Sequence, residues 1–389
     1  MSFKLVFLST DILIYLLFFV AVSFAVYSSR FEHLRAPWRQ VVHNRLAMTA
    51  AFVLSGYLAI ALCDSIHFQQ YAIDENGQPI HDNKGHPVYN PEVLSLFDLF
   101  VTNIRENTES TYSAPLSAQS YSKENIALPD GKQMRDYPKL KFPEKHLFGT
   151  DKVGQDVFYR ALKGIRTGVV IGTLTTLIML PFAIMMGIMA GYFKGRVDDI
   201  IQYIYTTLSS IPGVLLIASA VLMLQVYMDT HADQFESITV RADTRLLFLC
   251  MILGVSSWTG LCRILRGETL KLREMEYVQA SQALGVNHFK ILRKHIVPNI
   301  MHIVLISVVL DFSGLVLAEA VLAYVGVGVD PSMESWGNMI NAARLELARD
   351  PIVWWNLAAA FVLMFGLVLS ANLFADSVRD AFDPRLRTR

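Results

Sequence analysis

Tyr277-Val278-Gln279-Ala280-Ser281-Gln282-Ala283-Leu284-Gly285, closing at His295-Ile296-Val297-Pro298-Asn299, is a polar, helix-competent segment set between two apolar runs. Leu272, Met275, Val278, Ala283, Phe289, Ile291 and Leu292 mix there with Glu274, Glu276, Lys290, Arg293 and Lys294. That mixture predicts short amphipathic helices lying on a membrane surface. Gly285 is placed to end the first helix, where a left-handed residue costs glycine little. Pro298 is placed to start or kink the next. A loop that offers one folded helix to one side of a membrane is positioned to be pushed by a partner. That is a transporter's requirement rather than a soluble enzyme's.

The rest of the chain agrees. Hydrophobic residues make up 53% and charged residues 17% of 389, with a mean hydropathy of +0.38; these values lie on the membrane side of the globular average. Seven stretches lack charge, or nearly so, over the roughly 20 residues that a bilayer-crossing helix needs. They are 5–27, 46–62, 167–193, 208–228, 246–262, 301–326 and 353–374. In lipid each must be helical to satisfy its own backbone.

Lys and Arg in the short loops set the expected orientation. Arg30, Arg35, Arg39 and Arg45 follow the first span against Glu32 alone, which places that link in the cytoplasm. Lys194 and Arg196, the loop 263–300 with seven Lys and Arg between Arg263 and Lys294, and Arg379, Arg385, Arg387 and Arg389 fall on the same side. The segments 63–166, 229–245 and 327–352 are then outside, with the N-terminus outside and the C-terminus cytoplasmic. Basic residues mostly follow the first apolar run, with only Lys4 before it, so it reads as a retained anchor rather than a cleaved signal. Asp11 within it is expected near the outer end or facing another helix.

A net charge of zero points away from nucleic acid as a partner. Cys63, Cys250 and Cys262 have no metal-ligand spacing and read as small buried apolar residues. The outside segment from Asp64 to Lys145 contains turn chemistry at Asn76-Gly77-Gln78-Pro79, Asn83-Lys84-Gly85-His86-Pro87 and Asn90-Pro91. Tyr71-Ala72-Ile73 and Pro87-Val88-Tyr89 flank these turns as a candidate hairpin, and 92–106 is a candidate helix. His67, His81 and His86 lack the spacing of a metal site and read as solvated loop histidines. No internal repeat occurs at a solenoid period.

Three blocks carry a resemblance. The first is Gly149-Thr150-Asp151-Lys152-Val153-Gly154-Gln155-Asp156-Val157-Phe158-Tyr159-Arg160 with Gly164-Ile165-Arg166-Thr167-Gly168. The second is the loop at 277–299. The third is Ala318-Glu319-Ala320-Val321-Leu322-Ala323-Tyr324-Val325-Gly326-Val327-Gly328-Val329 with Ser335-Trp336-Gly337-Asn338-Met339-Ile340. Together they resemble the permease subunits of binding-protein-dependent ABC importers, in the dipeptide/oligopeptide branch and its second (C-type) subunit. Gln155 stands where that family usually has Arg, and Tyr159 where it has Ser; Gln279-Ala280-Ser281 stands for Glu-Ala-Ala in the coupling loop. Asp376-Ser377-Val378-Arg379-Asp380-Ala381-Phe382-Asp383-Pro384-Arg385 closes the chain as in many relatives.

The resemblance implies an all-α polytopic membrane protein of about seven helices: a six-helix type I permease core plus one N-terminal helix, with an extracytoplasmic insertion. The expected divisions are 1–45 (extra helix and basic link), 46–62 (first core helix), 63–146 (extracytoplasmic segment) and 147–389, which holds the coupling loop 266–299. It implies a coupling role for Glu276, Tyr277, Gln279, Ala280, Ser281, Ala283, Leu284, Gly285 and Pro298. It also implies signature roles for Gly149, Thr150, Asp151, Gly154, Asp156, Glu319, Gly326, Trp336 and Gly337. The implied partners are a second permease subunit, two ATP-binding subunits carrying ATP and magnesium, an extracytoplasmic substrate-binding protein and the lipid bilayer. Peptides are the implied cargo, with nickel or another small solute as the alternative within the family. The implied membrane is the bacterial inner membrane.

The residues themselves bound the chemistry. Gly149 and Gly154 have phosphate-loop spacing, but Gln155-Asp156 follows where Lys-Ser/Thr would be needed, so no nucleotide site is expected. A docked coupling helix is expected to bury Leu272, Met275 and Val278 in a partner's groove. Asp311 and Glu319 lie within a span, where charge is costly. They read either as polar locks between helices or as the titrating pair of a proton-coupled carrier complete in one chain; the missing internal repeat counts against the carrier. The spans hold no Gly-x-Ser-x-Gly and no His-Glu-x-x-His, which makes an intramembrane hydrolase remote. Pro181, Pro212-Gly213 and the glycines at 164, 168, 172, 187 and 191 read as close-packing positions, and Trp354 and Trp355 as an interfacial belt. No residue is singled out for metal, catalysis or substrate.

Overall fold

The computed structural model describes residues 3–30, 32–72, 80, 87–127, 133–231, 233, 235 and 237–382. The predicted turns at Asn76–Pro79 and Asn83–His86, the histidines His81 and His86, and the closing residues from Asp383 onward lie outside the described residues. In chain order come β1 (Phe3–Val6), α1 (Ser9–Ser29), α2 (Glu32–His43), α3 (Arg45–Asp64), β2 (His67–Tyr71), β3 (Tyr89–Ser95), α4 (Leu96–Phe100) and α5 (Thr102–Glu106). The hairpin β4 (Glu124–Ala127) and β5 (Gln133–Asp136) follows, then α6 (Val157–Phe193), α7 (Gly195–Ser210), α8 (Gly213–Thr230) and α9 (Ile238–Arg273). The chain continues through α10 (Glu276–Ala283), α11 (His288–Ile291), a π-turn (Leu292–Ile296), α12 (Val297–Tyr324), α13 (Trp336–Glu346) and α14 (Trp355–Phe382).

Six helices among the described residues are long and apolar enough to cross a bilayer: α3, α6, α8, α9, the continuous run His288–Tyr324, and α14. The apolar α1 adds a helix of 21 residues. Each predicted span falls mainly on one of these, and α6 and α9 run well past their apolar windows. α6 starts at Val157, ten residues before the uncharged window opens, because the Asp156 carboxylate accepts the Phe158 and Tyr159 N–H groups as an N-cap. The window 208–228 is broken, since Ile211-Pro212 separates α7 from α8.

α6 and α9 form the axis of the bundle. Gly187 and Gly191 meet α9 so closely that an added Cβ would press on the Cys262 carbonyl and on Thr269, and Gly254 is equally tight against Ile178. Small residues four apart allow two backbones to approach, which is how helices gain contact where lipid supplies no hydrophobic drive. Gly164 and Gly168 make room in the same way for the Trp336 ring.

The two ends of the bundle sort as the charge pattern predicts. At one end Trp38 packs on Phe382, the Asn44 amide donates to Ser377, and Lys194 pairs with Glu274. At the other, Ser95 bonds Asp64, Arg160 pairs with Glu334, and Tyr112 bonds Glu346. There the antiparallel sheet β1-β2-β3 also sits, with Tyr71 opposite Tyr89 as the hairpin reading requires. The strands extend further than that reading, to His67 and Ser95, and Phe3–Val6 joins them as a strand rather than as the start of the first span. The single helix expected over 92–106 is therefore corrected: β3 runs to Ser95, and a Ser95–Asp98 capping box then starts α4, with α5 following.

Candidate functional site: a pinned surface helix and a locked outer end

α10 is a two-turn helix at the end of the bundle that also holds Lys194 and α2. Its C-terminus closes as expected. Val286 N–H donates to the Ser281 carbonyl at 3.1 Å and Gly285 N–H to that of Gln282 at 3.0 Å, with Gly285 at φ +72°. Those two bonds define a glycine-ended helix stop. The Asn287 side chain then caps α11, and the π-turn at Leu292–Ile296 feeds α12, with Pro298 in its first turn. The π-turn carries no local sequence signal.

One side of α10 is anchored and the other is free. Val278 is fully buried in a cluster with Leu261, Leu265, Ile291, Ile296 and Ile300. The Gln282 amide donates to the Tyr192 hydroxyl, 3.2 Å away, and that hydroxyl contacts His288 Nδ1 at 2.8 Å. Glu274 takes a 2.7 Å bond from Lys194, which holds its carboxyl below the usual glutamate range. The expectation that Leu272 and Val278 fill a partner's groove is therefore corrected: both pack inside this chain. The free face instead presents Met275, Tyr277, Gln279 and Ala280, with Ala283, Gly285 and Pro298 also exposed. Leu284 and Phe289 project furthest, at 82% and 71% exposed. Ser281 bonds back to the Tyr277 carbonyl, and the Gln279 amide reaches the Glu274 carbonyl at 3.2 Å. Gln279 thus closes its own loop where a glutamate would have brought charge.

The signature residues at the other end are engaged within the chain. Thr150 is buried and bonds Ser113 and the Thr111 carbonyl. Asp151 accepts the Val153 and Gln155 N–H groups and pairs with Arg160 at 2.6 Å. Asp156 caps α6 and binds His146 at 2.9 Å. Gly149 and Gly154 both sit at positive φ, each pressed against backbone of 109–114. Gly326 takes the left-handed position after α12, at φ +87°. Glu319 is buried between the Ser335 hydroxyl (3.0 Å) and Gly337 N–H (3.2 Å), and Trp336 Nε1 donates to the Ala161 carbonyl at 2.9 Å. Glu319 is thus a polar lock between α12 and α13. Asp311 is half-buried on α12, 8 positions away along the helix.

Two further expectations are corrected here. Trp355 is buried and donates to the Thr150 carbonyl at 2.9 Å, so it belongs to the core; Trp354 is exposed. His67 is no solvated loop residue: it lies buried against Asp11 at 2.7 Å. Asp11 faces another helix through Arg166, at 2.6 Å, while Thr10 bonds Asp243. Lys163 holds Asp98 and Asp64 at 2.9 and 3.2 Å. The sequence does carry a sign of this network, since two cations near the start of a spanning helix demand acidic partners.

Residues 183–388 match the family described as binding-protein-dependent transport system inner membrane component. The chain belongs to this family. Among similar permeases, the oligopeptide transport system permease protein OppC of Bacillus subtilis is 32% identical over 70% of this chain and 80% of its own length. The dipeptide transport system permease protein DppC of the same organism is 31% identical over 62% and 69%. DppC of Lactococcus lactis subsp. cremoris is 28% identical over 90% of this chain and 89% of its own. That last match takes in most of the segment before the signature at 149, so the front of this permease is shared with at least one relative. The chain is a multi-pass inner-membrane permease of the ABC importer type, and a self-contained proton carrier is not favoured.

Proposed function

We propose that this chain is one of two permeases in a heterodimeric importer that carries di- and oligopeptides handed over by an extracytoplasmic binding protein. Two ATP-binding subunits, holding ATP and magnesium, dock on α10 from the cytoplasm and supply the hydrolysis. The carrying observation is the geometry around α10: the helix is pinned by buried Val278, while Tyr277, Ala280, Leu284 and Phe289 stand exposed on and beside it. A push on such a helix passes to α9 directly and to α12 through α11 and the π-turn, and rigid-body rocking follows. The excess of Lys and Arg at this end supports its cytoplasmic placement, with the N-terminus outside.

The test is uptake of a labelled tripeptide by cells carrying Ala280→Glu. Uptake is expected to fall at least tenfold, with the purified complex losing its ATP-binding subunits while the permease keeps its melting temperature. Full ATPase retention by the variant refutes the docking surface. Single cysteines at Leu284 and Leu99, in a background without Cys63, Cys250 and Cys262, report sidedness independently. An impermeant maleimide applied to intact spheroplasts should label Leu99→Cys and spare Leu284→Cys.

A further inference from the structure

Tyr192 is the second-to-last residue of α6 and is 2% exposed. Three other elements of the coupling end converge on it. The Gln282 amide of α10 donates to its hydroxyl at 3.2 Å, and Nδ1 of His288, the first residue of α11, lies 2.8 Å from the same oxygen. An amide N–H can only donate, so the hydroxyl's own proton is free for Nδ1, and the chain Gln282–Tyr192–His288 runs in one direction. The Arg273 guanidinium, from the last turn of α9, stands 6.0 Å from the centre of the tyrosine ring, within reach of its negative face. Arg273 Nη1 is buried there without a hydrogen-bond partner among the described residues.

The chain itself joins α10 to α9 and, through α11 and the π-turn, to α12. It does not join α10 to α6, since Tyr192 precedes Gln282 by 90 positions and His288 by 96. Among the described residues no other hydrogen bond links α10 to α6. Val278 shares a buried cluster with Tyr192, but apolar burial has no direction, so it holds α10 down without fixing where it sits along α6. Bonds to one hydroxyl do fix that place, because they weaken steeply with distance and angle. The helix so engaged is the longest lever in the bundle: α6 has 37 residues, a rise of about 55 Å, and its first turns carry the outer-end ion pairs of Lys163 and Arg166. Gly191, beside Tyr192, is pressed against Thr269 and the Arg266 carbonyl, so this end of α6 moves with α9.

We propose that Tyr192 is a positioning residue that latches the coupling helix to the α6–α9 axis, so that displacement of α10 carries α6 with it. This rests on the docking of ATP-binding subunits given under the proposed function, and adds which side chain passes their motion on. Ring and hydroxyl have separate tasks. The ring fills the cluster around Val278 and backs Arg273, while the hydroxyl sets the register of α10 and α11. Loss of the hydroxyl alone costs little stability, because Gln282 is half-buried and His288 exposed, and water can take over both bonds. It instead frees α10 to slide on Val278 while α6 stays, so that hydrolysis proceeds without delivering cargo.

The assembled importer, reconstituted in liposomes with its binding protein, gives two rates: tripeptide delivered and ATP hydrolysed. Tyr192→Phe is expected to lower the peptides delivered per ATP by about fivefold or more, the lower end of ordinary coupling between sites. Its ATP-binding subunits should still co-purify, and its melting temperature should match the wild type. Gln282→Leu should lower the same ratio, and adding it to Tyr192→Phe should cost nothing further, since the bond it removes is already gone. An unchanged ratio in Tyr192→Phe overturns the proposal, as does a double variant whose losses multiply. Uptake and hydrolysis falling in equal proportion, with a lower melting temperature, would reduce Tyr192 to a packing residue and overturn it too. ATP-binding subunits missing from the wild-type complex would instead refute the docking itself, a different result read before any variant is made.

Discussion

The two ends of this bundle are held in opposite ways. At the outer end, buried charges are paired across long separations: Asp11 with Arg166 and Asp98 with Lys163. At the coupling end, α10 rests on one fully buried valine and a few side-chain bonds, and its large apolar groups face outward. Both ends contain residues that the family resemblance singles out. At the outer end those residues make the chain rigid, whereas at the coupling end they leave a surface unfinished. A transporter driven from outside itself needs both, because a push is transmitted only if the far end does not yield.

The sharpest way to break that comparison is to remove one charge from the outer end. Asp11→Ala strips Arg166 of its 2.6 Å partner and leaves Asp243 at 3.8 Å as the nearest other carboxylate in its network. Breaking one side of a buried pair costs about 3–5 kcal/mol, since the remaining charge stays desolvated. The purified permease should lose that stability in a thermal or denaturant melt. The double variant Asp11→Leu/Arg166→Leu should recover part of it, because the guanidinium is gone and Asp243 keeps its bonds from Thr10. A single variant as stable as the wild type would show that the network is ornamental and that the extra helix is held by packing alone.

Gly154→Ala comes next. Its new Cβ would sit on the Glu109 carbonyl, and Gly154 is held at φ +77° by the bond from Glu109 N–H to its own carbonyl. Backbone must move to admit it, and a cost of roughly 3 kcal/mol is expected, above what the left-handed conformation alone imposes. The readout is the recovery of monodisperse complex after detergent extraction, alongside its melting temperature.

Acid should also separate carboxylates within the outer end. Burial pushes Asp98 up, but Lys163, with the Ser95 N–H and the Tyr159 hydroxyl, outweighs it and leaves the carboxyl below its ordinary value. The unfolded chain then takes the proton first, so Asp98 contributes stability above about pH 3.9 that is lost as pH falls through the lower folded value. Glu346 has the opposite sign: burial raises it, and the Asn356 and Tyr112 donors only partly offset that. There the folded chain takes the proton first, so stability is lost as pH rises from about 4.3 through the raised folded value. Melting temperature followed across that range should lose its acid decline in Asp98→Asn. In Glu346→Gln it should lose the decline toward neutral pH.

Much of this was readable from the chain, and what was not has a physical cause. The apolar windows located every spanning helix because lipid forces that pattern on sequence. Gly285 and Pro298 marked their joints because backbone geometry is local. The Asp11–His67 and Asp11–Arg166 contacts join residues 56 and 155 positions apart, and no window of sequence holds both partners. Val278 was assigned to a partner's groove for the same reason. An amphipathic stripe states that a face is covered, but not whether the cover is the same chain or another. Trp355 followed a rule for interfacial tryptophans and is instead held by the Thr150 carbonyl, 205 positions away.

Gly285→Ala is the smallest effect and the most direct comparison. Gly285 shares its left-handed backbone with Gly154, at φ +72° against +77°, but a Cβ at Gly285 meets nothing within 4 Å. Only the conformational penalty applies there, about 1 kcal/mol. The permease alone should therefore melt almost as the wild type does, while the glycine-ended stop of α10 loosens. In the assembled importer the added methyl lies beside the exposed Leu284, on the surface offered to the partner. A modest fall in uptake with an unchanged melt places the role of Gly285 at that contact. A large stability loss would instead mean that the coupling end is as tightly built as the outer one, and the contrast between the two ends would collapse.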